Sequence, residues 1–219
     1  MLQNEIWERL FQNEYGKYPA EHLIRFVAKN YYKRNRAVTK ILEVGCGPGA
    51  NIWYLSREGF DTYGIDGSEN AIAGARRYLS EEGLSANFMI GDIIDLPYAD
   101  NCFDAVIDNE CIYSNSLSDS HLIMNEIRRV LKRDSLFFSR AFSTDMYIGK
   151  DAKQPSPCEY AEATDGPLAN TGHFRLINED GIKQLYSPYF EITSIDKMDY
   201  TRDNRSFMVS EWIIISRKM

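Results

Sequence analysis

The stretch Ile41-Leu-Glu-Val-Gly-Cys-Gly-Pro-Gly49 decides how this chain is read. A short apolar run over residues 40–44 predicts a buried strand. Gly45, Gly47 and Gly49 follow at once, and the apolar spacing over 50–57 predicts a helix. Glycines between a strand and a helix let the backbone approach a ligand closely and leave amide N–H groups free to meet it. Outward from this turn the same alternation repeats. Strands are predicted at 60–65, 86–90, 103–107 and 135–141, and helices at 70–82 and 120–131. Strands alternating with helices at this spacing are βαβ units, so the sheet is mainly parallel and covered on both faces.

Upstream, the first 37 residues read as helical, with a break at Tyr15-Gly-Lys-Tyr-Pro19. Downstream, alternation lapses over 143–175, a stretch rich in Pro and Gly. A loop that long within a compact domain is usually a lid or insertion. A helix near 178–186, with Asn178 as its N-cap, restores the pattern. Two strands at 190–197 and 207–216 then follow with no helix between them, which predicts an antiparallel hairpin.

Acids stand at the ends of the predicted strands. Asp66 closes the second strand, Asp92 the third, and Asp108-Asn109-Glu110 the fourth. Ligands of open α/β sheets bind at the carboxyl ends of the strands. An acid after the second strand can accept hydrogen bonds from two ribose hydroxyls. One after the third can accept from an exocyclic amine. Each acid alone would also suit a helix cap or a turn. Three consecutive strands ending this way are far more specific than any one.

Composition narrows the classes. The 219 residues carry 25 Lys and Arg against 32 Asp and Glu, a net charge of −7, and 44% are hydrophobic. This is an ordinary balance for one globular domain with decorations. The negative charge argues against nucleic acid as a partner, since such affinity rests on cations neutralising phosphates. The basic run Lys29, Lys33, Arg34, Arg36 and Lys40 reads as a helix end and solvated face. No apolar window is long enough for a membrane helix, and the N-terminus lacks the basic end and apolar core of a signal peptide. A cytoplasmic location is therefore expected. Cys46, Cys102, Cys111 and Cys158 show no paired spacing, and His22, His121 and His173 are scattered, so no zinc site is expected.

Four stretches together resemble the class I S-adenosylmethionine (SAM)-dependent methyltransferases, in the flavour of the small-molecule branch. They are the turn above, Tyr63-Gly-Ile-Asp-Gly-Ser68, Gly91-Asp-Ile93, and Leu96-Pro-Tyr-Ala-Asp-Asn-Cys-Phe-Asp-Ala-Val-Ile-Asp108. Val130-Leu-Lys132 is similar to that family's lead-in to the fifth strand, although Arg133-Asp134 stands where the family has Pro-Gly. The resemblance covers residues 38–142 strongly and the rest weakly.

It implies a doubly wound, Rossmann-like α/β fold. The sheet has seven strands, mostly parallel with one antiparallel, beneath an N-terminal helical cap. The chain would form a single methyltransferase domain: cap 1–37, SAM-binding core 38–142, insertion or lid 143–175, and C-terminal helix and hairpin 176–219. The resemblance places Glu43, Gly45, Cys46, Gly47, Gly49 and Asn51 around the amino-acid end of SAM. Asp66, Gly67 and Ser68 go to the ribose, and Gly91, Asp92 and Ile93 to adenine. Asp108 and Asn109 lie beside the methionine moiety. Trp7, Tyr15 and Tyr18 are candidates to close over it.

The expected reaction is methyl transfer to a small-molecule acceptor, leaving S-adenosylhomocysteine and using no metal. The sequence does not assign a catalytic residue: His173, as a general base, and Glu110 and Tyr113, as pocket-lining residues after the fourth strand, are the candidates, and Tyr147, Tyr160, His173 and Phe174 of the insertion are expected to help form the acceptor pocket. Two other readings stay open. One is a non-catalytic SAM-binding module. The other is an NAD-dependent oxidoreductase, which the Gly-x-Gly-x-Gly spacing disfavours. The sequence does not set an oligomeric state.

Overall fold

The structure is a computed structural model and describes residues 3–11 and 17–219. The chain opens with α1 (Gln3–Leu10) and α2 (Glu21–Tyr31). The core follows as β1 (Lys40–Val44), α3 (Ala50–Arg57), β2 (Asp61–Asp66), α4 (Glu69–Glu81), β3 (Asn87–Ile90), β4 (Phe103–Asn109), α5 (Leu117–Val130) and β5 (Leu131–Phe142). Three short strands come next, β6 (Lys153–Ser156), β7 (Glu159–Ala161) and β8 (Phe174–Arg175). The chain ends with α6 (Glu179–Tyr186), β9 (Glu191–Arg202) and β10 (Phe207–Arg217).

Seven strands form the main sheet in the order β3-β2-β1-β4-β5-β10-β9. The pairings among β1 to β5 are all parallel, and β10 runs antiparallel to both of its neighbours. The order reverses beside β1, so the crevice above the β1 and β4 ends is the topological switch point where such sheets bind ligands. Register aligns those ends: Val44 pairs with Ile65 and with Asp108, and Asp66 pairs with Ile90.

Period-2 alternation sends the strand side chains to two cores. Leu42, Val44, Val106 and Phe137 meet Ile123, Met124 and Ile127 of α5 and Ile182 and Leu185 of α6. Ile41, Ala105, Ile107 and Phe138 meet Leu23, Phe26 and Val27 of α2, Ile52 and Leu55 of α3, and Ile72 of α4. Each fully buried Val, Leu, Ile, Phe or Met among them contributes about 1.5–3 kcal/mol relative to exposure.

Three details differ from the sequence reading. The fifth strand begins at Leu131, directly after α5, because the pairing with β4 jumps from Phe103–Leu131 to Ala105–Leu136. The extra residues include Asp134 at φ 62, a bulge that periodicity does not reveal. The insertion is not irregular throughout, since β6, β7 and β8 form a small antiparallel sheet. Its strands have two to four residues, too few for alternation to register. The last hairpin is longer than expected, with its turn confined to Asp203–Ser206, where Asp203, Asn204 and Arg205 all have positive φ. Of the expected N-terminal break, Tyr15 and Gly16 lie outside the described residues.

Candidate active site

The β1 turn is built around close approach. Gly45 lies at φ +62, and a Cβ there would stand 2.1 Å from the Cys111 sulfur, so no side chain fits. The turn is held from the next strand by Asp66. Its carboxylate accepts from the Gly47 amide at 2.8 Å and from the Ser68 amide at 2.9 Å. Ser68 in turn caps α4 by accepting from the Ala71 amide. Burial raises the Asp66 pKa, and the two amides oppose that rise. A carboxylate has about four lone-pair sites, so two remain for a ligand.

Glu43 ends up beneath the turn, 2% exposed. Its Oε1 accepts from the Asn51 side-chain amide at 2.6 Å, while its Oε2 is buried without a partner. Asn51 also accepts from the Ala20 amide, tying the turn to the start of α2. Burial pushes the Glu43 carboxyl up to about 8, with the Asn51 bond opposing and Asp108 and Asp66 adding to the rise.

These groups line one cavity of about 700 Å³, within the range of roughly 300–1,000 Å³ usual for ligand sites. Glu43, Gly45, Cys46, Gly47, Asn51, Asp66, Gly67, Ser68, Gly91, Asp92, Ile93 and Asn109 all line it. Trp7, Phe11 and Tyr18 cover this end from the N-terminal segment. Glu8 latches α1 in place: its carboxylate accepts from the Glu69 amide at 2.5 Å and the Asn70 amide at 3.3 Å, at the start of α4. An acid at a helix N-terminus also complements the helix dipole.

Two residues of the expected set lie behind the wall and are not among the lining residues. Gly49 is the N-cap of α3 at φ 85, packed so that a Cβ would meet that of Ala75 at 2.9 Å. Asp108 accepts from the Cys111 and Ile112 amides at 2.9 and 3.1 Å and from the Ser139 hydroxyl at 2.6 Å. Its carboxyl is pushed up to about 6 by burial, against those bonds. It shapes the turn that presents Asn109 and Glu110.

The far end of the cavity is lined by Glu110, Tyr113, Phe142, Met146, Leu168 and Glu211, with Arg140 and Tyr200 nearby. Tyr113 and Phe142 pack edge to face at 4.8 Å. Glu110 and Tyr113 are thus brought into the site, while His173, Tyr147, Tyr160 and Phe174 are not among the lining residues. Tyr160 stacks on Phe174 in the small sheet, and the Tyr147 hydroxyl donates to Asp165 at 2.8 Å.

Sequence reasoning missed Arg140, Tyr200 and Glu211. Both β5 and β10 carry other polar residues, so neither Arg140 nor Glu211 stands out from its own strand. The guanidinium of Arg140 donates to Asn109 Oδ1 at 2.9 Å and to Glu211, and it lies 2.9 Å from Glu110 Oε1. The Tyr200 hydroxyl donates to Glu211 at 3.1 Å. Among the described residues, no group of three His, Cys, Asp or Glu could hold a metal ion, and no helix is long and apolar enough to cross a membrane.

The fold and this strand-end site define a class I SAM-dependent methyltransferase. The family model described as a methyltransferase domain matches residues 35–201, and the chain belongs to that family. An uncharacterized methyltransferase of Schizosaccharomyces pombe is 37% identical over 103 residues, which is 47% of this chain and 71% of its own length. A SAM-dependent methyltransferase structure from Methanosarcina mazei superposes with a TM-score of 0.73 at 20% identity, over 88% of this chain and 97% of that one. The 1,6-didemethyltoxoflavin-N1-methyltransferase of Burkholderia thailandensis, solved with 1,6-didemethyltoxoflavin and S-adenosylhomocysteine, gives 0.66 at 17% identity over 98% and 88% of the two chains.

Proposed function

We propose that the protein methylates a small molecule held at the far end of the cavity, with SAM at the β1 end. The observation that carries this is one cavity, which runs from a polar cradle at the β1 turn to a chamber where Phe142, Met146 and Leu168 stand beside Glu110 and Glu211. Trp7, Phe11 and Tyr18 of the N-terminal segment and Pro167, Leu168 and Thr171 of the insertion line it as well, which suits a small acceptor better than a folded one. The negative net charge disfavours a polyanionic acceptor.

The residues fit the cofactor. Glu43 Oε2, buried without a partner, is a ready acceptor for the ammonium of the methionine moiety. Gly45, Cys46 and Gly47 give the close backbone approach, and Asn51 holds Glu43 in place. The free lone pairs of Asp66 take the ribose hydroxyls, beside Gly67 and Ser68. Asp92 and the Ile93 amide, after Gly91, read adenine. Asn109 flanks the methionine moiety, and Tyr18 covers it.

When bound, SAM supplies a methyl group already activated on a sulfonium sulfur. The strand-end carboxylates favour that cation electrostatically. The remaining work of the chain is to place and align the acceptor and to exclude water. The reading includes no metal, because alignment on an activated carbon is the main requirement. The product S-adenosylhomocysteine lacks the sulfonium charge and so is held less strongly by these acids.

Titration calorimetry with SAM and S-adenosylhomocysteine tests the assignment. Asp66→Ala is expected to weaken SAM at least tenfold while circular dichroism stays unchanged, and NADH is expected not to bind either protein. Unchanged SAM affinity in a folded Asp66→Ala variant would remove Asp66 from the site.

A further inference from the structure

The far end of the cavity holds a charge arrangement that methyl transfer alone does not require. Arg140 is nearly enclosed and shares its one positive charge between two carboxylates, Glu110 and Glu211. Glu211 is fully engaged: one oxygen accepts from Arg140 and the other from Tyr200. Glu110 is not. Its Oε1 is near Arg140 Nη2 but buried with no hydrogen bond, and its side chain is 22% exposed. Its backbone is left-handed at φ 63, a conformation that costs a residue with a side chain and that recurs at functional sites.

Among the described residues, the far end of the cavity lining carries the carboxylates of Glu110 and Glu211, the enclosed guanidinium of Arg140 and the exposed one of Arg202. Solvent and salt screen Arg202, so the enclosed groups leave one carboxylate in surplus. An anionic acceptor would face that surplus in a poorly solvated wall, where like charges repel strongly. The apolar walls, Tyr113, Phe142, Met146 and Leu168, suit a hydrocarbon or aromatic body.

Resting on the methyltransferase reading above, we infer that the acceptor is an amine on an apolar body, and that Glu110 is the catalytic residue that receives its N–H proton. The ammonium passes one proton to a Glu110 oxygen, which frees the nitrogen lone pair. That lone pair forms the new bond to the methyl carbon as the carbon–sulfur bond breaks, and the bonding pair stays on sulfur. The methylated ammonium leaves with the positive charge, and Glu110 returns its proton to water. Burial and the neighbouring Glu211 raise the Glu110 pKa, against the pull of Arg140. This brings the group toward the range where a general base works near neutral pH. Arg140 and Glu211 are positioning residues that hold the Glu110 side.

Three probes share one body: 2-phenylethylamine, 2-phenylethanol and phenylacetate. Each is titrated into protein loaded with S-adenosylhomocysteine, in two buffers of different ionisation enthalpy so that proton release is read beside affinity. The amine is expected to bind at least tenfold more tightly than phenylacetate, with the alcohol between them. Glu110→Gln is expected to erase most of that preference, and the wild-type preference stands as a readout should the variant misfold. Equal binding of all three, tighter phenylacetate, a preference that survives in folded Glu110→Gln, or no binding of any probe to the loaded protein overturns the inference. Failure of S-adenosylhomocysteine itself to bind is a different result and overturns the cofactor assignment beneath it.

Discussion

Glu43 shows how much one carboxyl can report. Its folded-state pKa is pushed up to about 8 by burial, whereas an unfolded glutamate titrates near 4.3. A raised acid is protonated in the folded chain over a range where the unfolded chain is already ionised. Its contribution to stability is therefore complete below about 4.3 and is lost as pH rises through about 8. Glu43→Gln cannot ionise, so the ligand-free variant is expected to show a flatter decline of stability between pH 5 and pH 8. Urea unfolding at both pH values measures this, and parallel declines would contradict it. The same substitution removes the acceptor that awaits an ammonium, so SAM affinity is expected to fall even where stability improves.

At the scale of elements, α1 is a cover with a polar latch at Glu8. Glu8 accepts from the first-turn amides of α4, groups left without helical partners at any helix start. Trp7 of α1 and Phe11, just beyond its end, stack at 5.6 Å and line the cavity. Losing a side-chain cap costs about 1 kcal/mol, and 1.4 kcal/mol is about tenfold in affinity. Glu8→Ala is therefore expected to weaken SAM by about fivefold, mainly through faster release, with little change in melting temperature. Stopped-flow displacement resolves the two rates, and an unaltered release rate would detach α1 from cofactor retention.

Across the whole molecule, the insertion is tied to the core by a buried cation. Arg175 donates to the Asn115 carbonyl at 2.7 Å and the Ser120 hydroxyl at 2.5 Å, and burial lowers its pKa. Hydrogen bonds from charged groups are worth about 1.5–3 kcal/mol. Arg175→Ala is expected to speed amide hydrogen exchange across 153–175 while exchange in β1 and β4 stays slow. Uniformly faster exchange would mean that the small sheet unfolds only with the rest.

Legibility follows from the range of the interactions. The β1 turn and Asp66 could be read because a strand, its turn and the next strand are local in sequence and have few solutions. Asn178 could be read as a cap for the same reason, and it does accept from the Gly181 amide. Asp108 read as a strand-end acid, but its direction depends on Ser139, thirty-one residues away. The Arg140–Glu211 contact spans seventy-one residues, and nothing local announces it.

That contact also makes the last hairpin obey a parity. Glu211 pairs with Phe142 and Ile213 with Arg140 across the ladder, which keeps Glu211 and Arg140 on one face. One residue added within β10 ahead of Glu211 would hand its place to Ser210 and turn the carboxylate through the sheet. The same residue added at the exposed tip, Asp203–Ser206, leaves both ladders in step. Chain length is thus elastic at the tip and quantised in the strand, so natural length variation among relatives should collect at the tip.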